Sequence, residues 1–289
     1  MRTLRYLTSL VLLMVTAFLT NAQTGSFLNI PTDTREMAMG VTNAGSDAQS
    51  VLTEDGGIAF DATYLMWSPG GVGSNMINAG FSYKLDKLAV LAEGKVNSYS
   101  SYPLYDGFGN LTGEYSPSEF AAGIGAAYSV MPDLGVSLIA RYVGFNLADG
   151  AGSSAFCADL NLAYRYKTLT AGLSFENIGF GTIPMLMKAG VRNSFDFGES
   201  LCLEVGADAG YMTQGQFGAV VASAGVDLKI VDMVSVLAGY HFSSDSTFEP
   251  SYVSAGLGID ISVIRFSAVY LLGNPHVGNT LGFTLGCRF

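Results

Sequence analysis

One histidine, two aspartates and two serines in the C-terminal third of the sequence are the residues best suited to acid–base chemistry. His241 falls one predicted strand away from Asp227 and from Asp260. The same predicted face carries Ser235 and Ser254. A serine beside a histidine and a carboxylate is the arrangement of a nucleophilic hydrolase. A single histidine on a polar face, however, more often serves only as a hydrogen-bonding group. We therefore predict no catalytic residues, no cofactor and no enzyme activity.

Charged side chains of both signs lie on one face of the predicted strands, opposite an apolar face. An unpaired charge is costly within low-dielectric walls, so we expect these residues to form ion pairs that brace the interior of the fold. A polar conduit is the alternative use of the same side chains. The group consists of Glu93, Arg141, Asp159, Arg165, Glu176, Lys188, Arg192, Glu204, Asp208, Asp227, Asp260, Arg265 and Arg288.

The cysteines and the second histidine give no sign of a metal site. Cys157, Cys202 and Cys287 have no histidine or second cysteine at ligand spacing, and His276 stands in a predicted loop beside Pro275. An exported protein that needed disulfides would usually carry an even set of cysteines. We interpret all three cysteines as small buried residues and predict no metal.

A long loop over residues 97–116 is rich in serine, glycine and tyrosine. Exposed tyrosines among small polar residues form adaptable contact surfaces, so this loop is our candidate for partner binding. A loop that folds inward and caps the structure would have the same composition. The candidate residues are Tyr99, Tyr102, Tyr105, Phe108 and Tyr115.

The elements that position these residues are strands with a period of two. In the last stretch, residues 281–289, every second residue is apolar or aromatic, and the residues between them are small or polar. The same alternation recurs from about residue 76 onward. A soluble β-sandwich would carry charges on its outer face, where this sequence has leucine and tyrosine. We predict an all-β, antiparallel transmembrane barrel of the outer-membrane kind, with lipid around its outer face.

Connections alternate between short turns and longer loops, as in barrels with short periplasmic turns and longer extracellular loops. The longer ones fall near residues 97–116, 146–153, 177–184, 211–216, 243–249 and 272–278. We count about thirteen strands, and single-chain bacterial barrels have an even number. We therefore predict fourteen strands, with twelve as the alternative, and expect the missing strand within residues 57–75. The terminal Phe289 resembles an outer-membrane assembly signal.

The first residues are typical of a secretory signal peptide. Arg2 and Arg5 precede an apolar run over residues 10–19, and small residues follow up to a predicted cleavage after Ala22. Loss of residues 1–22 leaves 12 basic against 24 acidic residues, a net charge of −12. Such a charge argues against a nucleic-acid partner. Export and the barrel pattern together predict the outer membrane.

Residues 23–72 lack the strand alternation, and we assign them to a plug in the barrel lumen or mouth. Asp33-Thr34-Arg35-Glu36 has the form of a helix N-cap, and Gly40 is placed to end a short helix. A periplasmic lead-in segment is the alternative. Residues 73–289 are then the barrel.

Three stretches resemble the PorV/PorQ family of outer-membrane proteins of the Bacteroidetes, which is itself similar to the FadL fatty-acid transporter barrels. The first is Phe-Leu-Asn-Ile-Pro-Thr at residues 27–32, followed by Arg35 and Met39-Gly40. The most specific is residues 108–120, which resembles the family's FGNxxGxFxxSD stretch. The third is a turn in which Ser68 and Gly70 depart from the family's usual W/Y-N-P-A-G-L; it comprises Trp67, Ser68, Pro69, Gly70, Gly71 and Val72.

The resemblance implies a FadL-like barrel with an N-terminal segment in the lumen. By likeness to family members of the type IX secretion system, it also implies docking or shuttling of other outer-membrane or secreted proteins. Transport of hydrophobic small molecules, on the FadL pattern, is the alternative function. An apolar lumen pocket that continues to a gap in the wall would favour transport, whereas a plugged lumen with an exposed aromatic loop would favour docking.

Overall fold

The computed structural model describes residues 25–52, 57–67, 73–179, 183–245, 249–273 and 279–289. The predicted signal peptide, the turn over residues 68–72 and His276 lie outside these ranges. Within them, no helix is long and apolar enough to cross a membrane.

Fourteen strands close into one antiparallel barrel, which confirms the predicted fold class and strand number. Each strand of the barrel pairs with the barrel strand that follows it, and the last pairs with the first to close the wall. The fourteen strands are β1 (Gly57–Trp67), β2 (Ser74–Leu85), β3 (Leu88–Tyr99), β6 (Ser118–Met131), β7 (Leu134–Asn146), β8 (Gly152–Tyr166), β9 (Leu169–Gly179), β10 (Met185–Phe197), β11 (Leu201–Gln214), β12 (Phe217–Ile230), β13 (Val234–Ser243), β14 (Tyr252–Ile261), β15 (Ile264–Gly273) and β16 (Asn279–Arg288).

The first strand corrects one predicted boundary. β1 supplies the strand expected within residues 57–75, so the barrel begins at Gly57 and not at residue 73. Its pairing with β16 extends to the chain terminus, where the Phe289 amide donates to the Ile58 carbonyl at 2.8 Å. Residues 23–72 therefore include part of the barrel wall as well as the N-terminal segment.

The two faces of the wall differ as the alternation predicts. Outward positions such as Ile124 and Leu257 are 66% and 60% exposed in the isolated chain, as lipid-facing side chains must be. Inward positions include buried serines, threonines, asparagines and charged residues. Outward aromatic rings of Phe120, Tyr142 and Phe156 lie near one end of neighbouring strands, with centroids 5.9 and 5.1 Å apart, as in an aromatic girdle.

Short turns gather at one end of the barrel, which we call the turn end, and longer connections at the other, the loop end. Asp86, Lys167, Asp232 and Ser262 have positive φ angles in the turns, which tight hairpins require. The loop predicted at residues 211–216 is wrong: β11 and β12 continue to a two-residue turn at the loop end, where Gly215 has φ +62°.

The long loop after β3 contains a hairpin of its own. β4 (Tyr102–Tyr105) and β5 (Leu111–Tyr115) pair as a separate two-stranded sheet at the loop end. The cysteines also differ in part from the prediction. All three are free thiols, but only Cys157 is buried, while Cys202 and Cys287 are partly exposed.

Candidate functional site

The lumen holds the N-terminal segment, residues 25–52, which we call the plug. It contains a 3₁₀ helix (Ser26–Asn29) and two short α-helices, α1 (Thr34–Ala38) and α2 (Ser46–Gln49). The predicted cap is present: the Asp33 carboxylate accepts from the Arg35 amide at 2.9 Å. Gly40 follows α1 with φ +71°, so the chain turns there. Helix α1 packs against β13–β16, and α2 against β6–β8.

Glycines on the inner wall let the plug backbone touch the strands. A Cβ atom at Gly172 would lie 1.9 Å from the Ala44 carbonyl oxygen, and one at Gly239 would lie 2.3 Å from the Gly40 nitrogen. Gly225 faces the Met39 carbonyl and Gly135 the Ala48 carbonyl in the same way, at 2.2 and 2.3 Å. No side chain fits between these backbones. The glycines therefore form a seat shaped to the plug.

Hydroxyl groups and one lysine complete this seat. Thr34 Oγ1 lies 2.7 Å from Ser267 Oγ and 2.9 Å from Thr284 Oγ1. Lys95 Nζ donates to the carbonyls of Leu28 and Ile30 at 2.9 and 2.8 Å. These contacts satisfy backbone and hydroxyl groups that the plug would otherwise bury unpaired.

The charged residues predicted to line the interior form separate local pairs rather than one network. Arg141 pairs with both Glu93 and Asp159. Lys188 lies 2.9 Å from Glu176, and Arg192 lies 3.8 Å from Glu204. Among the described residues, Arg165 forms no ion pair.

The plug supplies further partners that sequence reasoning missed. Arg35 Nη2 lies 2.8 Å from Asp260, and Asp33 lies 3.8 Å from Arg265. Asp208 accepts from the backbone amides of Asn43 and Ala44, both at 2.8 Å. These partners stand far apart in sequence, so no spacing within the chain indicates them.

The candidate partner-binding aromatics divide into three groups. Tyr99 is not exposed: it turns into the lumen and donates to Glu119 at 2.6 Å. Tyr102 and Tyr115 pack against each other, with ring centroids 5.7 Å apart. Tyr105 and Phe108 are exposed, Phe108 by 93%.

The hairpin tip that carries Phe108 is closed by hydrogen bonds to one side chain. The Asp106 carboxylate accepts from the amides of Phe108 and Asn110 at 2.8 and 2.9 Å, and from the Asn110 side chain at 2.9 Å. The Asn110 side-chain hydrogen bond is the main reason that the pKa of Asp106 is lowered from its ordinary value. The tip thus holds an aromatic ring in solvent. For the family-motif turn, the structure describes only the backbone of Trp67, at the end of β1.

His241 has different partners from those predicted. Its Nδ1 lies 2.9 Å from Ser223 Oγ, on the paired strand directly opposite, and its ring stacks on Tyr252. Its Nε2 lies 3.3 Å from Glu249, in the loop after β13. Asp227 and Asp260 are not in contact with it. Ser223 could have been found by aligning β12 with β13, because it lies directly opposite His241. Glu249 could not, because it lies in a loop outside the strand pattern.

Part of the inner wall near the loop end is apolar, beside buried polar side chains such as those of Asn97, Glu119 and Thr280. Buried apolar side chains there pack with Phe27, Leu28 and Met37 of the plug into one cluster. We call it the apolar lumen cluster; its wall residues are Leu65, Met76, Val143, Phe145, Val269 and Leu271. The charged residues and hydroxyls described above occupy inward positions toward both ends of the barrel. Among the described residues, no group of histidine, cysteine and carboxylate side chains could hold a metal ion.

The wall has one irregular seam beside the plug. Asn177 is a bulge in β9 with φ +57°, and its side chain donates to Asn29 of the plug at 2.9 Å. The β9–β10 ladder ends at Glu176 and Leu186, so the last residues of β9 pair only with β8.

Comparisons with known proteins show the fold alone. No protein-family model and no curated protein matches the chain. Among solved structures, the toluene transporter TbuX of Ralstonia pickettii superposes with a TM-score of 0.58 at 13% identity, over 88% of this chain and 97% of that one. The toluene transporter TodX of Pseudomonas putida gives 0.59 at 12% identity, over 88% and 97%. The monoaromatic hydrocarbon channel CymD gives 0.59 at 12%, over 92% and 99%. The barrel fold of these transporters is thus supported, but the PorV/PorQ assignment is not.

Proposed function

We propose that this chain is an outer-membrane channel for small hydrophobic compounds, the function that the sequence analysis ranked second. The observation that carries this proposal is the apolar lumen cluster around the plug near the loop end. A pore for ions or sugars is lined by polar groups, whereas apolar walls suit a hydrophobic solute. The structural likeness to toluene transporters supports the same class of solute.

The plug and the irregular seam beside it determine the route that such a solute would take through the barrel. Phe27 and Leu28 of the plug pack into the apolar lumen cluster, so a solute must displace the plug or leave through the wall. The bulge at Asn177 interrupts the ladder between β8 and β9 and is the place beside the plug where such an exit would lie.

Uptake by intact cells tests the proposal. A Gram-negative host without such channels would express the protein and be given radiolabelled toluene and, separately, radiolabelled sucrose. We expect faster toluene uptake than in empty cells and unchanged sucrose uptake. Unchanged toluene uptake contradicts the proposal, and faster uptake of both solutes would indicate an unselective pore.

Protein docking, the function ranked first from the sequence, is now the second candidate. The comparisons do not support it, and the exposed Phe108 on its hydrogen-bonded tip is the observation that favours it. We expect replacement of Tyr102, Tyr105 and Phe108 by Ser to leave the barrel folded, because the hairpin forms a separate sheet. A docking protein would then lose its co-purifying partners, since a few aromatics usually carry most of an interface's energy. A channel would keep its toluene uptake.

A further inference from the structure

A small polar pocket interrupts the apolar surface between the plug and strands β10–β13. It has a volume of about 20 Å³, and its polar lining includes Asn29, Lys188, Ser223, His241 and Glu249. That volume is enough for one hydroxyl group or one water molecule. We call these five residues the polar pocket.

Two buried atoms of the polar pocket have no hydrogen-bond partner among the described residues. His241 is 4% exposed, yet its Nε2 approaches Glu249 Oε1 only at 3.3 Å and without hydrogen-bond geometry. Glu249 Oε2 is buried and unpaired as well. Leaving a buried donor or acceptor unpaired costs free energy, so such atoms call for a partner that binds there.

The other polar groups of this region are already paired. Lys188 contacts Glu176 and the side chain of Asn43, and Asp208 accepts two backbone amides of the plug. Ser223 pairs with His241 Nδ1. A Ser223 hydroxyl that donates to Nδ1 leaves the ring proton on Nε2, which then faces Glu249 as a donor. The free donor and the free acceptor are therefore side by side.

One border of the polar pocket is apolar. Leu186 and Val221 line it and belong to a buried cluster with Met212 and Ala219. A ring or alkyl group would lie against this cluster while a polar atom of the same molecule reached His241 and Glu249. Tyr252, stacked on His241 with centroids 5.1 Å apart, holds the imidazole in place.

We propose that the polar pocket selects hydrophobic compounds that carry one hydroxyl group, such as phenols, over bare hydrocarbons. A single hydroxyl accepts from His241 Nε2–H and donates to Glu249 Oε2, so it satisfies both atoms. A bare hydrocarbon would bury both of them unpaired. This inference rests on the proposed channel function and names the class of solute within it.

Phenol and toluene form a matched pair of probes, because a hydroxyl in one replaces a methyl of similar size in the other. The purified protein in detergent would be titrated with each compound, following the intrinsic fluorescence of its aromatic residues. We expect phenol to bind at least about tenfold more tightly than toluene, since an unmade buried hydrogen bond typically costs a factor of ten or more.

Two variants and one control assign the preference to the polar pocket. His241→Phe keeps a ring against Tyr252, and Glu249→Gln keeps the shape of the acid. In either variant, the ratio of the affinity for phenol to the affinity for toluene should fall toward one. Ser235→Ala, a buried lumen position six residues away on β13, should keep the wild-type ratio. Folding of each variant is checked by heat-dependent migration in gels.

The outcomes separate this inference from the channel proposal. Equal binding of phenol and toluene by the wild type would overturn the inference and indicate that the polar pocket holds only an ordered water. A preference that survives both variants would also overturn it. Failure of both compounds to bind would contradict the channel proposal itself, together with the inference.

Discussion

The seat of the plug and the polar pocket lie in the same lumen but differ in what their polar groups meet. In the seat, Thr34 meets Ser267 and Thr284, and Lys95 meets two backbone carbonyls. In the polar pocket, His241 and Glu249 each bury an unpaired atom beside a free volume. Arg35 Nε and Thr42 Oγ1 of the plug are also unpaired, but they lie where the plug packs against glycines of the wall, so the polar pocket is better suited to a visitor.

The two regions also differ in packing. The seat brings backbone against backbone over glycines and has no room for a methyl group. The polar pocket retains a free volume beside an apolar cluster. We infer that the seat fixes the closed state of the lumen and that selection occurs beside it.

Adding a methyl group at a glycine of the seat should lower the stability of the protein more than any other change proposed below. Gly239→Ala would place a carbon 2.3 Å from the Gly40 nitrogen, which only a shift of the plug can relieve. We expect a loss of about 1–3 kcal/mol in stability, typical of overpacking, and a plug that proteases reach more readily. Thermal unfolding measures the loss of stability, and limited proteolysis measures the accessibility of the plug.

Gly286→Ala is the matched control for that variant. Gly286 also faces inward, but an added Cβ there would meet its nearest atom at 3.5 Å, an ordinary contact. If Gly286→Ala and Gly239→Ala behaved alike, the glycines would not form a seat.

A smaller effect on the seating of the plug is expected from the titration of Asp47 in α2. Burial in the lumen raises the pKa of Asp47 from 3.8 to about 7, and repulsion from Glu93 adds to the shift. Between about pH 4 and pH 7, the seated plug therefore holds a proton on Asp47 that a released plug lacks. Seating should weaken as the pH rises across this range to about 7.

Asp47→Asn tests this dependence, because Asn mimics the protonated acid and can keep a hydrogen bond to Asn161, which contacts Asp47 at 3.2 Å. Protease sensitivity of the plug should rise between about pH 5 and about pH 8 in the wild type and change less in the variant. Identical pH profiles would show that Asp47 does not control seating.

The barrel was predictable because each strand carries its own period-two pattern, which depends only on local sequence. β1 was the least visible strand, since inward Leu65 interrupts its alternation of apolar and polar residues. The cap of α1 was predictable for the same local reason, as Asp33 and Arg35 are two residues apart.

The candidate site was much less predictable, because its contacts join distant parts of the chain. Thr34 and Thr284 are 250 residues apart, and Asn43 and Lys188 are 145 apart. The inward glycines were recognised as small residues of the polar face, but what they face is the plug, which no strand pattern reveals.

The most direct test of a plug-controlled channel is toluene uptake with the plug locked to the wall. Thr34→Cys with Ser267→Cys replaces two side chains whose hydroxyl oxygens lie 2.7 Å apart, so that oxidation would join the plug to β15. Ala62→Cys with Ala79→Cys replaces two directly paired outward residues of β1 and β2 within the wall, and leaves the plug and its contacts unchanged. We predict that oxidation stops uptake in the first variant, that a reductant restores it, and that the second variant transports in both states. Undiminished uptake through the oxidised first variant would contradict the account.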